Sequence, residues 1–258
     1  MTMNDRSSTP IEPRIGCSPA EWQARVDLAA LHRLATHYGW DNLIYNHIAM
    51  RVPDQPECFL FKVHNLMFDE VTASNLVKMR LDGRQLTESE NVNAAGFTIH
   101  TSILNARPDL NVTLHVHTKA GMAMSAHADG IIPMTQGAMR FYDRLSYHDY
   151  EGIATNMDEC ARLARDLGPR NRSMILRNHG LLTSGAQPSD ALNAMRYLVN
   201  ACETQLMLQA TGARIILPPP DLCERTAQQW EYHDAHGGRE DWPAYLRIAD
   251  RIDTGYRD

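Results

Sequence analysis

The stretch Asn111-Val112-Thr113-Leu114-His115-Val116-His117 alternates polar and apolar side chains without a break, the period-two pattern of a β-strand. His115 and His117 stand at i and i+2, so both rings leave the same face of that strand. Upstream, residues 93–106 read as a helix that stops before Pro108, whose ring cannot continue it. Downstream, Lys119–Ala128 is rich in small helix formers. A strand set between two helices is the core of an α/β reading, and the remaining chain extends it.

Toward the N-terminus, Ser18-Pro19-Ala20-Glu21 carries an N-cap, a proline at the first helical position and a glutamate placed to complete a capping box. Trp22, Val26, Ala30, Leu34 and Tyr38 follow at helical spacing, with Gly39 as a stop. Ile44–Val52 and Phe59–Val63 read as strands around the turn-rich Pro53-Asp54-Gln55-Pro56, and so short a connection predicts antiparallel pairing. Thr72–Leu76 is expected to form a helical turn, and Lys78–Leu81 a strand ended by the hairpin turn Asp82-Gly83. Asn156 is expected to cap a helix carrying Cys160, Leu163 and Leu167. Ser173–Arg177 reads as a strand. Pro188-Ser189-Asp190 opens the longest helix, which places Leu192, Met195, Val199, Cys202 and Leu206 on one stripe and reaches Gly212. No repeated βαβ glycine fingerprint is present, so the pattern predicts one α/β domain around a mainly antiparallel sheet. Residues 1–17 read as a loose arm, 18–217 as the domain, and 218–258 as a tail. The aromatics of that tail, Trp230, Tyr232, Trp242, Tyr245 and Tyr256, predict packing on the domain or on a neighbouring subunit.

The 258 residues carry a net charge of -6, with 43% hydrophobic and 22% charged side chains. That balance fits a globular chain and excludes a basic field for nucleic acid. No apolar run approaches the roughly 18 residues of a membrane span, and the N-terminus lacks a secretory h-region or a basic transit helix. Five scattered cysteines without a C-x-x-C pair suit a reducing cytoplasm and no cysteine zinc site.

The H-x-H can converge on a metal ion or form a hydrogen-bonded pair on a strand face. Arg177-Asn178-His179-Gly180-Leu181 adds a histidine at a strand end, where Gly180 lets the chain turn; alone it reads equally as a capped loop. Together, His115, His117 and His179 make a three-imidazole set with open positions, the layout of a catalytic rather than a structural site. Such ligands suit zinc first, with iron, cobalt, manganese or nickel as alternatives. Glu88 and Glu90 read as solvated loop, Met122 and Met124 as core, and His233 and His236 as surface.

These motifs resemble the class II aldolase/adducin family, which binds metal through an H-x-H and a later N-H-G histidine. The adducin head-domain branch is the nearer match. It is carried by Phe68-Asp69-Glu70-Val71-Thr72-Ala73-Ser74, Asn93-Ala94-Ala95-Gly96-Phe97-Thr98-Ile99-His100, Ala106-Arg107-Pro108-Asp109, Tyr147-His148-Asp149-Tyr150 and Ile175 through Leu181. The resemblance covers roughly residues 20–212. It implies an α/β/α sandwich around a mainly antiparallel sheet, and a cyclic homotetramer with active sites at subunit boundaries. It makes His115, His117 and His179 the metal ligands of a divalent transition metal. It also points to Tyr147 and His148 as catalytic candidates near a tyrosine that reaches the neighbouring site, with Asn46 and His100 as substrate-binding candidates.

One departure bears on function. Sugar-phosphate aldolases of the family carry Ser-Ser-Glu where this chain has Ala94-Ala95-Gly96. The glutamate serves there as acid/base and the serines help hold phosphate. Their loss predicts a non-phosphorylated substrate and removes a group worth about 10²–10⁴-fold in rate. Three functions stay open: a metal-dependent lyase on a small hydroxy-carbonyl or keto-acid compound, a non-haem oxygenase or decarboxylase on the same histidines, and a non-catalytic assembly module like the adducin head. The long adducin tail has no counterpart after Tyr256-Arg257-Asp258, which weighs toward an enzyme. The expected partners are a small-molecule substrate and further copies of the chain, with no nucleic acid and no membrane.

Overall fold

A computed structural model describes residues 16–86, 91–154, 157–236 and 240–258. The first helix, α1 (Pro19–His37), begins where its cap dictates: Ser18 Oγ accepts the Glu21 N–H at 3.1 Å. The capping box does not close. The Glu21 carboxylate turns instead to Arg25 at 2.9 Å and Lys78 at 2.5 Å. Burial alone would raise its pKa, but hydrogen bonds from those two cations hold it below the usual range.

Seven strands follow: β1 (His47–Val52), β2 (Gln55–Phe61), β3 (Val77–Arg80), β4 (Val112–Val116), β5 (Leu145–His148), β6 (Ser173–Leu176) and β7 (Gly180–Gly185). They form one sheet in the order β3-β2-β1-β4-β7-β6-β5. Every pairing is antiparallel except the parallel β5–β6 pair. The interleaved helices are α2 (Ala94–Ala106), α3 (Lys119–Ser125), α4 (Gln136–Met139), α5 (Glu159–Leu167) and α6 (Pro188–Ala210).

Both faces of the sheet are covered, giving the expected α/β/α sandwich. On one face Ile48, Met50, Leu114, Val116 and Leu181 pack with Leu28, Leu31 and Leu34 of α1 and Leu192, Met195 and Leu198 of α6. On the other, Met174, Leu176 and Leu182 meet Ile99 and Ile103 of α2 and Leu163 and Leu167 of α5. The alternation in β4 thus sorts two buried faces: Leu114 and Val116 go to one apolar core. Thr113 and His115 face the other layer, also fully buried.

Several local expectations shift. The β1 strand begins at His47 rather than Ile44, and the turn to β2 shrinks to Pro53-Asp54. Residues 73–75 form a turn without helix, because the Asn75 side chain takes the Thr72 N–H and reaches back to the Glu70 carbonyl. A 3-10 turn forms at Phe68–Glu70 instead. Met124 is buried as expected, but Met122 is 43% exposed. Asn156, Glu88 and Glu90 lie outside the described residues, as do residues 1–15 of the expected arm.

The described residues of the C-terminal segment are mostly helical: α7 (Pro220–His236) and α8 (Asp241–Ile252), closed by a 3-10 turn at Thr254–Arg257. Four of their aromatics pack on the rest of the chain, while Tyr232 is 67% exposed. Trp230 donates to the Gln136 carbonyl, Tyr245 to Asn193, and Trp242 to Asp27. Tyr256 is fully buried, and the segment 254–258 offers its carbonyls to Ala73 and Ser74. No helix of the described residues is long and apolar enough to cross a membrane, and all five cysteines are free.

The layer of α2 lies so close to the sheet that one position requires glycine. A Cβ on Gly96 would sit 2.7 Å from His47 Cδ2 and 2.8 Å from Phe61 Cζ. Gly96→Ala should therefore cost about 1–3 kcal/mol of stability, read by urea unfolding; unchanged stability would contradict this packing. Under α8, burial pushes the Asp27 carboxyl up to about 6 from 3.8. The folded chain then holds this proton more tightly than the unfolded chain does. The ionised group opposes folding at neutral pH, and the penalty fades as pH falls from about 6 toward the unfolded value of 3.8 and is gone below it. Asp27→Asn should raise stability near pH 7.5 by about 1–2 kcal/mol, allowing for partial contact with water. The gain should vanish near pH 3.5 on the order set by that unfolded value, and an equal effect at both pH values would contradict the assignment.

Candidate metal centre

Three elements place three imidazoles at one end of the sheet. His115 is the penultimate residue of β4, His117 follows the strand end, and His179 lies in the turn joining β6 to β7. Antiparallel pairing of β4 with β7 sets His115 opposite Leu182 and Val116 opposite Leu181, so the turn passes beside the H-x-H. Asn178 adopts φ 54°, and its N–H is held by the Ser125 carbonyl at 3.1 Å. Gly180 has no room for a side chain: a Cβ there would lie 2.7 Å from the Val116 carbonyl and 2.9 Å from the His117 ring.

The ring centroids of His115, His117 and His179 are 4.7–4.8 Å apart in all three pairings. Each offers a nitrogen within 4.8 Å of the other two, the one such group of metal-ligating side chains among the described residues. The Nε2 atoms of His115 and His117 are 2.8 Å apart. His115 donates Nδ1–H to the Leu181 carbonyl at 2.9 Å, which fixes its tautomer and turns the Nε2 lone pair to the centre. Burial, reinforced by the neighbouring rings, holds His115 well below the ordinary imidazole range. Burial also lowers His117 and brings His179 to about 4. All three rings are neutral near pH 7, the state that can ligate. Three such nitrogens, one with its far side anchored, fit a divalent transition metal and leave coordination positions for water or substrate.

A second chain of rings lies behind this trio. His47, the first residue of β1, pairs with His115 across the ladder and stacks on it at 5.0 Å and 29°. His47 Nδ1 is 2.8 Å from His100 Nε2, and His100 Nδ1 is 2.5 Å from Thr113 Oγ1. His100 is fully buried, and desolvation outweighs a backbone hydrogen bond at His47 to bring it to about 3. His100 thus meets the trio only through His47. His47 belongs to no motif in the sequence, and only the β1–β4 register reveals its place beside the trio.

The other candidates are placed apart. Asn46 is buried, donates Nδ2–H to the Trp40 carbonyl, and leaves Oδ1 without a partner. Tyr147 and His148 alternate to opposite faces of β5. Tyr147 accepts the Ile131 N–H at 3.0 Å, under the Arg177 guanidinium at 4.2 Å. His148 Nδ1 bonds Asp166 at 2.7 Å, and its Nε2 lies 3.4 Å from Glu159 in a recess that His179 also lines. His233 is on the surface, 3.8 Å from Asp234, and the side chain of His236 lies outside the described residues. A cavity of about 490 Å³ beside α7 is remote from this chemistry, and its buried Arg140 and Arg144 already pair with Asp234, Glu224 and Glu231.

Comparison with known proteins agrees with this architecture. The family model described as Class II Aldolase and Adducin N-terminal domain matches residues 26–206. A class 2 aldolase-like protein of Pseudomonas aeruginosa is 43% identical over 255 residues, covering 97% of this chain and 98% of the relative. Mouse alpha-adducin is 36% identical over 248 residues, 90% of this chain but 33% of the adducin. A crystal structure of an aldolase II superfamily protein from Pseudomonas syringae superposes with a TM-score of 0.88 at 42% identity, covering 93% of this chain and 97% of that one. The chain belongs to the class II aldolase and adducin family.

Proposed function

We propose that the chain is a metal-dependent lyase that cleaves a carbon–carbon bond in a small, non-phosphorylated hydroxy-carbonyl or keto-acid compound. One observation carries this reading: three neutral imidazoles converge at one end of the sheet, and His179 of the trio lines a recess. A divalent cation held by His115, His117 and His179, zinc by preference, would supply Lewis acidity toward a substrate carbonyl. The chain's own residues define the rest. Ala94, Ala95 and Gly96 offer no hydroxyl or carboxylate, so no side chain at these positions recognises a phosphate. His148 shares the recess with His179, its Nδ1 held by Asp166 and its Nε2 3.4 Å from Glu159, and we assign it the proton-handling role. Tyr147 keeps its phenolic proton, since burial raises its pKa above the usual 10.0. Tyr150, Ile153 and Met157 leave an exposed apolar surface along the segment after His148, which supports a neighbouring subunit closing the site. We assign the protein to the cytoplasm as a homo-oligomer, with a tetramer favoured.

A second reading, a non-catalytic assembly module, is favoured by the adducin match together with the absence of a carboxylate at Gly96. One experiment separates the two. Protein purified without a metal-affinity column should hold near one transition-metal ion per chain, by the three-ligand reading. It should release pyruvate from 4-hydroxy-2-oxo acids. His115→Ala and His179→Ala should lose the metal and, with it, at least about 10²-fold in rate. Metal without cleavage across such a panel would favour the assembly module, and absence of metal would sink the lyase.

A further inference from the structure

We propose that His47 occupies the place of the family's missing glutamate and presents a fixed Nε2–H donor to an oxygen of the substrate at the histidine trio. The inference rests on the lyase reading and deepens it. The position that carries the carboxylate in sugar-phosphate aldolases is Gly96 here, and the space its side chain would need is filled by the His47 ring, 2.7 Å from where a Cβ would stand. That ring lies flat against His115, so it borders the metal centre without belonging to it.

The proton positions follow from the hydrogen bonds. Thr113 is fully buried, and its hydroxyl has one partner, His100 Nδ1 at 2.5 Å. A sealed hydroxyl with a single partner donates to it, because an unmatched buried donor is costly. His100 Nδ1 is then an acceptor, and its ring proton sits on Nε2. That proton is donated to His47 Nδ1 at 2.8 Å. His47 must therefore carry its own proton on Nε2. This nitrogen is bonded to no described residue and is absent from the side-chain atoms sealed from solvent without a partner, so it accounts for part of the 4% of His47 that stays accessible. The opposite order would strand the Thr113 hydroxyl and leave His47 a bare nitrogen. A neutral N–H at this place can bind developing negative charge on a substrate oxygen without the desolvation cost of a buried carboxylate.

Nitrogen-15 NMR of the imidazoles in the full, metal-free chain should show His47 and His100 both as Nε2–H tautomers. Thr113→Val should disturb that order, and Thr113→Ser should preserve it. In zinc-loaded protein, calorimetry with oxalate as the probe should show affinity about 10- to 100-fold weaker in His47→Leu at equal zinc content. An Nδ1–H tautomer at His47, or unchanged oxalate affinity at equal zinc, would overturn the proposal. Failure of the unsubstituted chain to take zinc would instead sink the lyase reading on which it rests. If His47→Leu does not fold, the tautomer measurement on the unsubstituted chain decides.

Discussion

The antiparallel ladder between β4 and β7 is the constraint on which the site depends. It sets Val116 against Leu181, and so carries the turn that holds His179 past the rings of His115 and His117. The same ladder supplies the Leu181 carbonyl that anchors His115. A slip of one residue would send His115 into the apolar layer against α6 and expel Leu114 from it. The hydrophobic sorting that stabilises the sheet therefore also aligns the imidazoles, and the geometry of the trio is inherited from core packing. Gly180 is where the two demands meet, since a side chain there would collide with both the β4 backbone and a candidate ligand.

On the neighbouring pair, β1–β4, the fold makes a second use of the same face. Register places His47 beside His115, and α2 presses Gly96 against its ring. The result is a buried run of neutral polar groups, Thr113–His100–His47, in which each hydrogen bond sets the direction of the next. Buried polar runs of this kind are stable only when each member finds a partner. The one nitrogen left over is Nε2 of His47, the member of the run that stacks on His115. A carboxylate in so dry a position would bring a larger desolvation penalty, so Ala94-Ala95-Gly96 leaves this part of the site without a side-chain charge.

Much of this was legible in the sequence where the signal was local. Ser18-Pro19 marks the start of α1, Asn93 and Pro108 bracket α2, and Pro188 opens α6. The alternation of Asn111–His117 yields β4, and the two histidine motifs name the trio that the structure gathers. What escaped were features set by tertiary contact. The strand β5 has only four residues, and β7, though longer, is bounded by Gly180 and Gly185, residues typical of turns. The helices α7 and α8 are largely polar, and their docking relies on a few aromatics and ion pairs such as Arg144 with Glu224 and Glu231. Glu21 carries a capping-box signature, but Lys78, distant in sequence, takes its carboxylate. His47 stayed hidden because its meaning lies in the residue opposite it on another strand.

The central claim is that His115, His117 and His179 grip one ion and leave other coordination positions free. X-ray absorption at the edge of the bound metal, with zinc as the reference case, tests it most directly. The account predicts three imidazole nitrogens at about 2.0–2.1 Å with lighter oxygen ligands completing the shell, and loss of the imidazole signal in His179→Ala. A shell containing sulfur or four imidazoles, or a bound metal whose spectrum is indifferent to His179, would contradict it.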